Sequence, residues 1–459
     1  MSNTTDPQSV TGNPQGVPGV ERTLLGVARG GLKVVTGNFG DHGLILKLLD
    51  SARGGDNSED FASRLDRPGY DACDRLLLMH DQRPVGHVHL VNQTLWFQGV
   101  RVPIVALRDV AVLPEYRGGP GEQELFNQAE ACAVQEGAVL AIACTDSHRV
   151  LADRQWLPWR SQGFSRADTR ALLAHLDAPP PKQSLLQHDK MQKLEVRTWR
   201  HVELDALRNV YDRVAPAHWG CEYRCEQHWQ WLVGRKAIDH ILVAVDPGSR
   251  ETPATPSDDP DSGVPRGDVV GYAAIRDWRI VEMHTLPEYP NAAKALMIRA
   301  GRDAIDRNHH FLSLHTPASD PLHQVMVVTA GGEWVSPRAP QDRRWLYRML
   351  SPERWVERLY PVLQERTRAA DIPRPVSLNL QRGSAQSTVV VTRRSSRLEH
   401  TASNGAPPPN DAALYDLLTG NTRGPQNAEL LPDEATQTLA GVLFPPTVFW
   451  QSPLELLRL

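Results

Sequence analysis

The sequence lacks any apolar run approaching the roughly 18–20 residues that a membrane-spanning helix needs. Residues 1–19 also lack a basic n-region and an apolar h-region, so we expect a disordered tail there and no signal peptide. An excess of basic charge is missing as well, because the formal net charge is −4 at pH 7. No positive field therefore draws the protein to nucleic acid or to an anionic membrane, and we expect neither as a partner.

Cysteine is scarce and odd in number, five in 459 residues, which favours a reducing compartment and predicts a cytoplasmic location. Four potential metal ligands, His218, Cys221, Cys225 and His228, recur at helical spacing. If that segment is one helix, its ends lie about 15 Å apart. A single tetrahedral zinc holds its ligands at about 2.0–2.3 Å, so we favour a packing role and expect no metal.

Two segments follow one pattern, in which runs typical of strands flank a connection. In the first segment, Arg75–His80 and Val85–Leu90 are separated by a short polar turn, which predicts a hairpin. In the second segment, His240–Val245 and Val269–Ile275 flank an insertion at 247–268. The Pro, Ser and Asp content of that insertion predicts a flexible, solvated loop.

Each predicted hairpin is followed by a further strand, a helix and a short apolar strand. This order of elements, occurring twice, predicts two tandem mixed-sheet domains of the α/β class. The elements are Ile104–Val112, Gln123–Gln135 and Ala138–Cys144 in the first copy, and Arg279–Thr285, Ala292–Arg307 and Phe311–His315 in the second.

The pattern changes near Arg348, and the rest of the chain predicts a third, α+β domain. Its expected elements are a helix at Glu353–Arg368, strands at Val376–Leu380 and Ser387–Arg394, and helices at Ala412–Leu418 and Asp433–Leu443. The predicted division is a tail at 1–19, a first domain at 20–176, a Pro-rich linker at 177–190, a second domain at 191–346 and a third domain at 347–459.

The stretch from Asp109 to Leu125 has the pattern of a strand, a sharp Pro/Gly turn and the start of a helix. Such a junction gathers free backbone N–H groups and the positive end of a helix at one place, which suits a pyrophosphate. Arg117, in the turn, can add a charge-assisted hydrogen bond. The stretch therefore predicts an anion site for a phosphate-bearing ligand.

This stretch resembles the acetyl-CoA-binding motif of the GNAT superfamily of N-acetyltransferases. The matching positions are Val110, Val112, Pro114, Tyr116, Arg117, Gly118 and Leu125. The resemblance implies acetyl-CoA as cosubstrate, held by Val110, Ala111, Val112, Arg117, Gly118, Gly119, Gly121 and Glu122. At two positions where the family motif has its later glycines, this chain has other residues. They are Pro120, which has no N–H, and Glu122, which brings a negative charge.

The corresponding junction of the second copy, Thr285–Lys294, keeps the sequence Pro-Glu-Tyr but has neither the arginine nor any glycine. We therefore expect the second copy not to bind CoA and to serve as scaffold.

Two GNAT-like domains followed by a small α+β domain resemble the enhanced-intracellular-survival type of acetyltransferase, whose last domain is similar to sterol carrier proteins. The resemblance implies transfer of an acetyl group to a primary amine, which attacks the thioester directly. The amine is of aminoglycoside, polyamine or lysine type and belongs to a small molecule or a peptide. It also implies a homo-oligomer. Two other functions stay open: a catalytically degenerate binding or scaffold protein, and a carrier of apolar ligands through the C-terminal domain.

The family's general acid is a tyrosine four residues before a glycine that corresponds to Gly163, and here that position holds Trp159. An indole N–H is no proton source at neutral pH, so the expected acid is absent. The family's general base is the terminal carboxylate, which here belongs to Leu459. Asp109 is an alternative base, although a solvated or salt-bridged carboxylate is the more ordinary interpretation of it.

Overall fold

The computed structural model describes residues 22–53, 58–145, 151, 156–159, 163–177, 194–235, 238–248, 267–336, 344–382, 385–401, 412–421 and 430–453. The predicted tail at 1–19, nearly all of the linker, most of the insertion and Leu459 lie outside these ranges. The chain forms two compact units, one of Met1–Asn57, Asp71–His89 and Asp109–Ala129, and the other of Ser58–Tyr70, Leu90–Arg108 and Glu130–Leu459.

The first unit contains a series of antiparallel strand pairs. Its elements are β1 (Leu24–Val27), β2 (Leu32–Thr36), β3 (Arg75–His80), the start of β4 (Arg83–Phe97), the end of β5 (Val100–Val112), α1 (His42–Arg53) and most of α3 (Pro120–Gln135). Strand β2 pairs with both β1 and β3, and β3 pairs with β4. Every residue of β3 except His80 is buried, so this strand lies in the core of the unit.

In the second unit, the later part of β4 and the earlier part of β5 belong to a mixed sheet. Its other elements are β6 (Leu140–Thr145), β7 (Leu157–Pro158), β10 (Trp219–Glu222) and β16 (Arg344–Met349). Strand β5 pairs in parallel with β6 from Ile104↔Leu140 to Leu107↔Ala143. Strand β16 pairs antiparallel with both β6 and β7, and β10 pairs antiparallel with β4.

A second sheet of seven strands has the order β15-β8-β14-β13-β12-β11-β9. The strands are β8 (Phe164–Asp168), β9 (Glu195–Thr198), β11 (His240–Asp246), β12 (Asp268–Arg276), β13 (Arg279–Thr285), β14 (Phe311–Leu314) and β15 (Glu333–Val335). Its pairs are antiparallel except β13 with β14, which is parallel and covers Arg279↔Ser313 and Ile280↔Leu314. The helices of this region are α2 (Ser58–Leu65), α4 (Thr169–Leu176), α5 (Leu204–Val214), α6 (Glu226–Gly234), α7 (Ala292–Asp306) and α8 (Pro321–Gln324).

Helix α7 shows why the second sheet has a helical cover. Its buried residues recur every three or four positions, which places them on one face of the helix; they are Ala292, Leu296, Met297, Ala300, Gly301 and Ala304. That face packs on β11, β12 and β13. Gly301 lets α4 approach closely, because a Cβ atom there would lie 3.0 Å from Leu173 Cδ2.

The C-terminal part has a three-stranded antiparallel sheet with helices. The elements are α9 (Pro352–Arg358), α10 (Tyr360–Ala369), β17 (Val376–Arg382), β18 (Ala385–Val391), β19 (Ser396–Thr401), α11 (Ala412–Leu418) and α12 (Glu434–Leu443). A single helix was predicted at Glu353–Arg368, but two helices meet there at Leu359. Pro361 explains the break, because it has no N–H to continue the hydrogen-bond ladder of α9.

The structure confirms the predicted fold class of two mixed α/β sheets followed by an α+β part. The sheets do not follow the predicted boundaries, however. Strand β8 precedes residue 176 but pairs with β14 and β15, and β16 follows the second sheet in sequence but pairs with β6. Within the described ranges, no helix is long and apolar enough to cross a membrane.

Candidate active site

The junction between β5 and α3 lies in the first unit and has the predicted form. A 3₁₀ turn, Pro114–Tyr116, follows the strand, and helix α3 begins at Pro120. Pro120 suits the first position of a helix, where its missing N–H would have no partner inside the helix. The turn is closed by the N–H of Tyr116, which donates to the carbonyl of Leu113 at 2.9 Å.

Arg117 fixes the turn to its surroundings through two backbone carbonyls. Its Nε donates to the carbonyl of Val112 at 2.9 Å, and its Nη2 donates to the carbonyl of Ala52 at 3.0 Å. The guanidinium thus ties the last residue of β5 to the C-terminal turn of α1, where helix carbonyls lack partners within the helix. Arg117 holds the loop in place and brings positive charge to it.

We call the backbone of Arg117–Glu122 the anion cradle, after the ligand that the sequence motif predicts for it. Gly118 has φ +72°, a left-handed conformation that glycine adopts without strain. Its N–H donates to a carboxylate oxygen of Glu122, whose residue is only 4% exposed. A carboxylate of the loop itself therefore accepts from the Gly118 N–H, one of the donors that the sequence motif predicts for a phosphate.

Gly121 seats the start of α3 directly against the sheet. A Cβ atom at this position would lie 2.7 Å from Leu32 Cδ1 and 3.1 Å from Leu78 Cδ2. A side chain at this position would require Leu32 to shift, whereas glycine fits without rearrangement. The start of α3 therefore lies close to β2 and β3.

Asp109, the alternative base, belongs to a buried polar cluster in the first unit. Its carboxylate lies 3.4 Å from Arg75 Nη1, and both side chains are buried. His87 Nδ1 lies 2.9 Å from the carbonyl oxygen of Asp109, and its Nε2 lies 3.3 Å from Arg75 Nη1. Because a carbonyl only accepts and a guanidinium only donates, the proton of His87 is assigned to Nδ1. The structure thus places Asp109 in an ion pair.

Trp159 lies in the second unit, immediately after β7, and is 2% exposed. Its indole stacks on Phe449 with ring centroids 4.0 Å apart and lies 4.6 Å from the ring of Tyr347. Its Nε1 has no hydrogen-bond partner within the described part of the chain. The Trp159 side chain therefore packs against the protein's own C-terminal segment.

That C-terminal segment, residues 445–453, is built into the core of the second unit. The Trp450 N–H donates to the carbonyl of Trp219 at 2.8 Å, and Trp450 Nε1 donates to the carbonyl of His315 at 2.9 Å. The Gln451 side chain accepts from Arg108 Nη2 at 3.5 Å. The terminal carboxylate of Leu459 lies outside the described residues, but the segment leading to it passes Trp159.

The sequence analysis missed a buried polar network on β13. Arg224 donates to both oxygens of Glu282, at 2.8 and 2.7 Å, and Tyr272 Oη donates to Glu282 Oε1 at 2.6 Å. Burial alone raises the pKa of Glu282, but the charge and hydrogen bonds of Arg224 outweigh it and lower the pKa. Ser452, in the C-terminal segment, adds another hydrogen bond to the same carboxylate.

His284 lies two residues beyond Glu282 on β13, and burial lowers its pKa to about 3. Glu282 and His284 are two residues apart in a strand, so both side chains project from the same face of the sheet. That spacing was the available signal in the sequence. The spacing alone does not reveal the network, because Arg224, Tyr272 and Ser452 lie far from Glu282 in sequence.

No group of three or more His, Cys, Asp or Glu side chains within the described ranges is arranged to hold a metal ion. The segment that contains His218, Cys221, Cys225 and His228 is not one helix, because Cys221 lies in β10 and His228 lies in α6. The Nδ1 atom of His228 lies 3.9 Å from Glu222, which gives this side chain a polar neighbour.

Three solved structures that superpose on nearly the whole chain are distant from it in sequence. A GCN5-related N-acetyltransferase from Anabaena variabilis superposes with a TM-score of 0.63 at 14% identity, covering 92% of this chain and 99% of its own. A GCN5-related N-acetyltransferase from Kribbella flavida gives 0.60 at 13% identity over 92% and 97%. Eis1 from Mycobacterium abscessus gives 0.58 at 15% identity over 92% and 99%.

A scan against protein-family models finds no match, and a search of curated proteins finds none. At 13–15% identity the structural likeness shows the fold and nothing finer. The chain therefore has the GNAT fold, as the resemblance of the β5–α3 junction implied.

Proposed function

We propose that the protein is an acyl-CoA-dependent N-acyltransferase that moves an acetyl group from acetyl-CoA to a primary amine. One observation carries the proposal: a chain with the GNAT fold over 92% of its length holds an oxyanion, the Glu122 carboxylate, in the loop that the motif assigns to pyrophosphate. Fold alone does not give function, so the loop is the stronger support.

In this proposal the first unit holds the cosubstrate. The backbone of Val110, Ala111 and Val112 lies along the pantetheine arm, and the N–H groups of Gly118, Gly119 and Gly121 face the pyrophosphate. Arg117 adds positive charge beside them. When bound, acetyl-CoA supplies a thioester carbonyl that a neutral amine can attack directly. The protein then contributes mainly by orienting the two partners and excluding water.

The proton released by the attacking amine needs an acceptor, and we propose the terminal carboxylate of Leu459. A terminal carboxylate has a reference pKa of about 3.3–3.7, so it is ionised at neutral pH. Support comes from residues 445–453, which run through the core of the second unit beside Trp159 and Arg108. Asp109 is less suited, because its buried carboxylate already lies in an ion pair with Arg75.

We also propose that the chain is of the enhanced-intracellular-survival type, with a C-terminal part related to sterol carrier proteins. The order of the three sheets and the likeness to Eis1 over 92% of the chain support this relationship. An amine of aminoglycoside, polyamine or lysine type, a homo-oligomer and a cytoplasmic location remain predictions of the same resemblance.

Release of free thiol from acetyl-CoA tests the proposed reaction. We expect release that depends on an added amine, with spermidine, a lysine-containing peptide and an aminoglycoside as probes. Removal of residues 454–459 should slow it by about 10²–10⁴-fold, since the terminal carboxylate then belongs to Pro453 and the general base is lost from the place of Leu459. Leu459→Ala is the matched control, because it keeps a carboxylate at the same place. Wild-type protein that releases no thiol with any amine would contradict the proposal.

A further inference from the structure

Glu122 occupies the anion cradle with its own side chain. It is the third residue of α3, and its carboxylate reaches back four residues to the N–H of Gly118. The residue is 4% exposed, so the carboxylate is held inside the loop and away from water. A negative charge in the first turn of a helix is favourable, because it lies at the positive end of the helix dipole.

Among the other groups in and beside the cradle, three are missing or already committed as donors. Pro120 has no N–H, and the N–H of Gly119 points to the carbonyl of Tyr116 at 3.4 Å. Arg117 donates from two of its nitrogens to backbone carbonyls. The N–H of Gly118 is therefore a principal donor for an oxyanion, and it already holds one.

The start of the helix lies close to the sheet, because a Cβ atom added at Gly121 would lie 2.7 Å from Leu32 Cδ1. The turn before the helix is tied down by Arg117. A diphosphate oxygen that accepts from the Gly118 N–H must displace the Glu122 carboxylate, since that carboxylate already accepts from it.

We infer that Glu122 is an intramolecular competitor of the CoA diphosphate. The carboxylate leaves Gly118 when the diphosphate of an acyl-CoA binds, and it returns when the product leaves. Its presence weakens binding twice: it occupies the Gly118 donor, and its charge repels the incoming phosphates. This inference rests on the proposed function and adds a residue that sets the affinity for the nucleotide-bearing cosubstrate.

The test is the dissociation constant of CoA, measured by isothermal titration calorimetry on the full-length protein. Glu122→Ala frees the Gly118 N–H for a charge-assisted hydrogen bond to the diphosphate of CoA. The usual free energy of such a bond predicts about ten- to a hundredfold tighter binding. Glu122→Gln keeps the shape of the side chain and removes the charge, so it should also bind CoA more tightly. It provides the measurement if the alanine variant does not fold.

Glu115→Gln is the matched control. Glu115 is exposed in the same turn, so this variant loses the same charge without freeing Gly118. If wild type and both Glu122 variants bind CoA with equal affinity, the inference is overturned and the proposed function stands. The same holds if Glu115→Gln gains as much affinity for CoA as the Glu122 variants do. If the Glu122 variants bind CoA and the wild type does not, the result supports the competition and counts against activity of the wild type. No binding by any of them would overturn both.

Discussion

At Asp109, strand β5 passes through a left-handed backbone conformation with φ +51°, and the side chain lies against Arg75 inside the first unit. A non-glycine residue in this conformation carries a small strain that its surroundings must offset. Here the buried ion pair and the hydrogen bond from His87 to the Asp109 carbonyl do so. We interpret Asp109 as a residue that shapes the end of the strand.

Asp109→Ala should lower the free energy of unfolding by about 3–5 kcal/mol, because it leaves the charge of Arg75 buried without its carboxylate. Urea titration followed by tryptophan fluorescence measures this loss. Asp81→Ala is the control, since Asp81 has φ +53° but is exposed and has no buried arginine beside it. Equal losses in the two variants would show that the backbone conformation alone matters.

His284 makes the stability of the second unit depend on pH. Burial lowers its pKa from 6.5 to about 3, and the same cause lowers that of His315 to about 3. The unfolded chain takes up these protons below about pH 6.5, whereas the folded chain stays neutral down to about pH 3. Stability is therefore lost as pH falls through that window, by about 1.4 kcal/mol per pH unit for each histidine.

His284→Gln should remove one of these two contributions. Between about pH 6 and pH 4, we expect its free energy of unfolding to fall less steeply than that of the wild type, by about 1.4 kcal/mol per pH unit. Urea titrations at several pH values give the slopes. His175→Gln, at an exposed position, should keep the wild-type slope. A wild-type slope in His284→Gln would contradict the neutral, buried state of this side chain.

At the scale of elements, the hydropathy pattern predicted about half of the strands and helices in the described ranges, and the pairing within both hairpins, but not the pairing between distant strands. Strand β13 and helix α11 have the predicted bounds, since their apolar spacing and flanking turns are clear. Strand β19, with alternating charged residues at a surface, was missed. The exchange of β8 and β16 between the sheets was also missed, because it depends on pairing between residues far apart in sequence.

The C-terminal segment behaves as an element of the core, which its apolar residues suggested only weakly. Phe449 and Trp450 are each 1% exposed. Gly220, at φ +111°, makes room for them, because a Cβ atom there would lie 2.6 Å from the Phe449 ring. The segment between Phe449 and Ser452 therefore binds β10, β13 and the end of β14 together.

Trp450→Ala should cost about 3–5 kcal/mol, the range for truncating a large buried aromatic side chain. The loss includes the hydrogen bond from Nε1 to the His315 carbonyl. Trp199→Ala, at a half-buried tryptophan before α5, is the control and should cost clearly less. Thermal unfolding of both variants gives the comparison, and equal shifts would mean that the segment is not part of the core.

At the scale of the whole molecule, the motif predicted the GNAT fold, which solved structures share at only 13–15% identity, and the anion cradle stays a prediction. The motif can be recognised in a single sequence because it depends on glycine conformations and helix geometry. The motif did not show that Glu122 folds back into the cradle or that Trp159 stacks on Phe449. Such contacts depend on side-chain directions that one-dimensional spacing does not contain.

The central claim, that this chain binds an acyl-CoA, is tested most directly by thermal unfolding with and without acetyl-CoA. Ligand at about 100 times its dissociation constant stabilises the folded state by about 2.7 kcal/mol, which raises the midpoint by a few degrees. We predict that rise at millimolar acetyl-CoA with no amine present. An unchanged midpoint at the highest soluble concentration of acetyl-CoA would contradict this claim. The scaffold function would then be favoured.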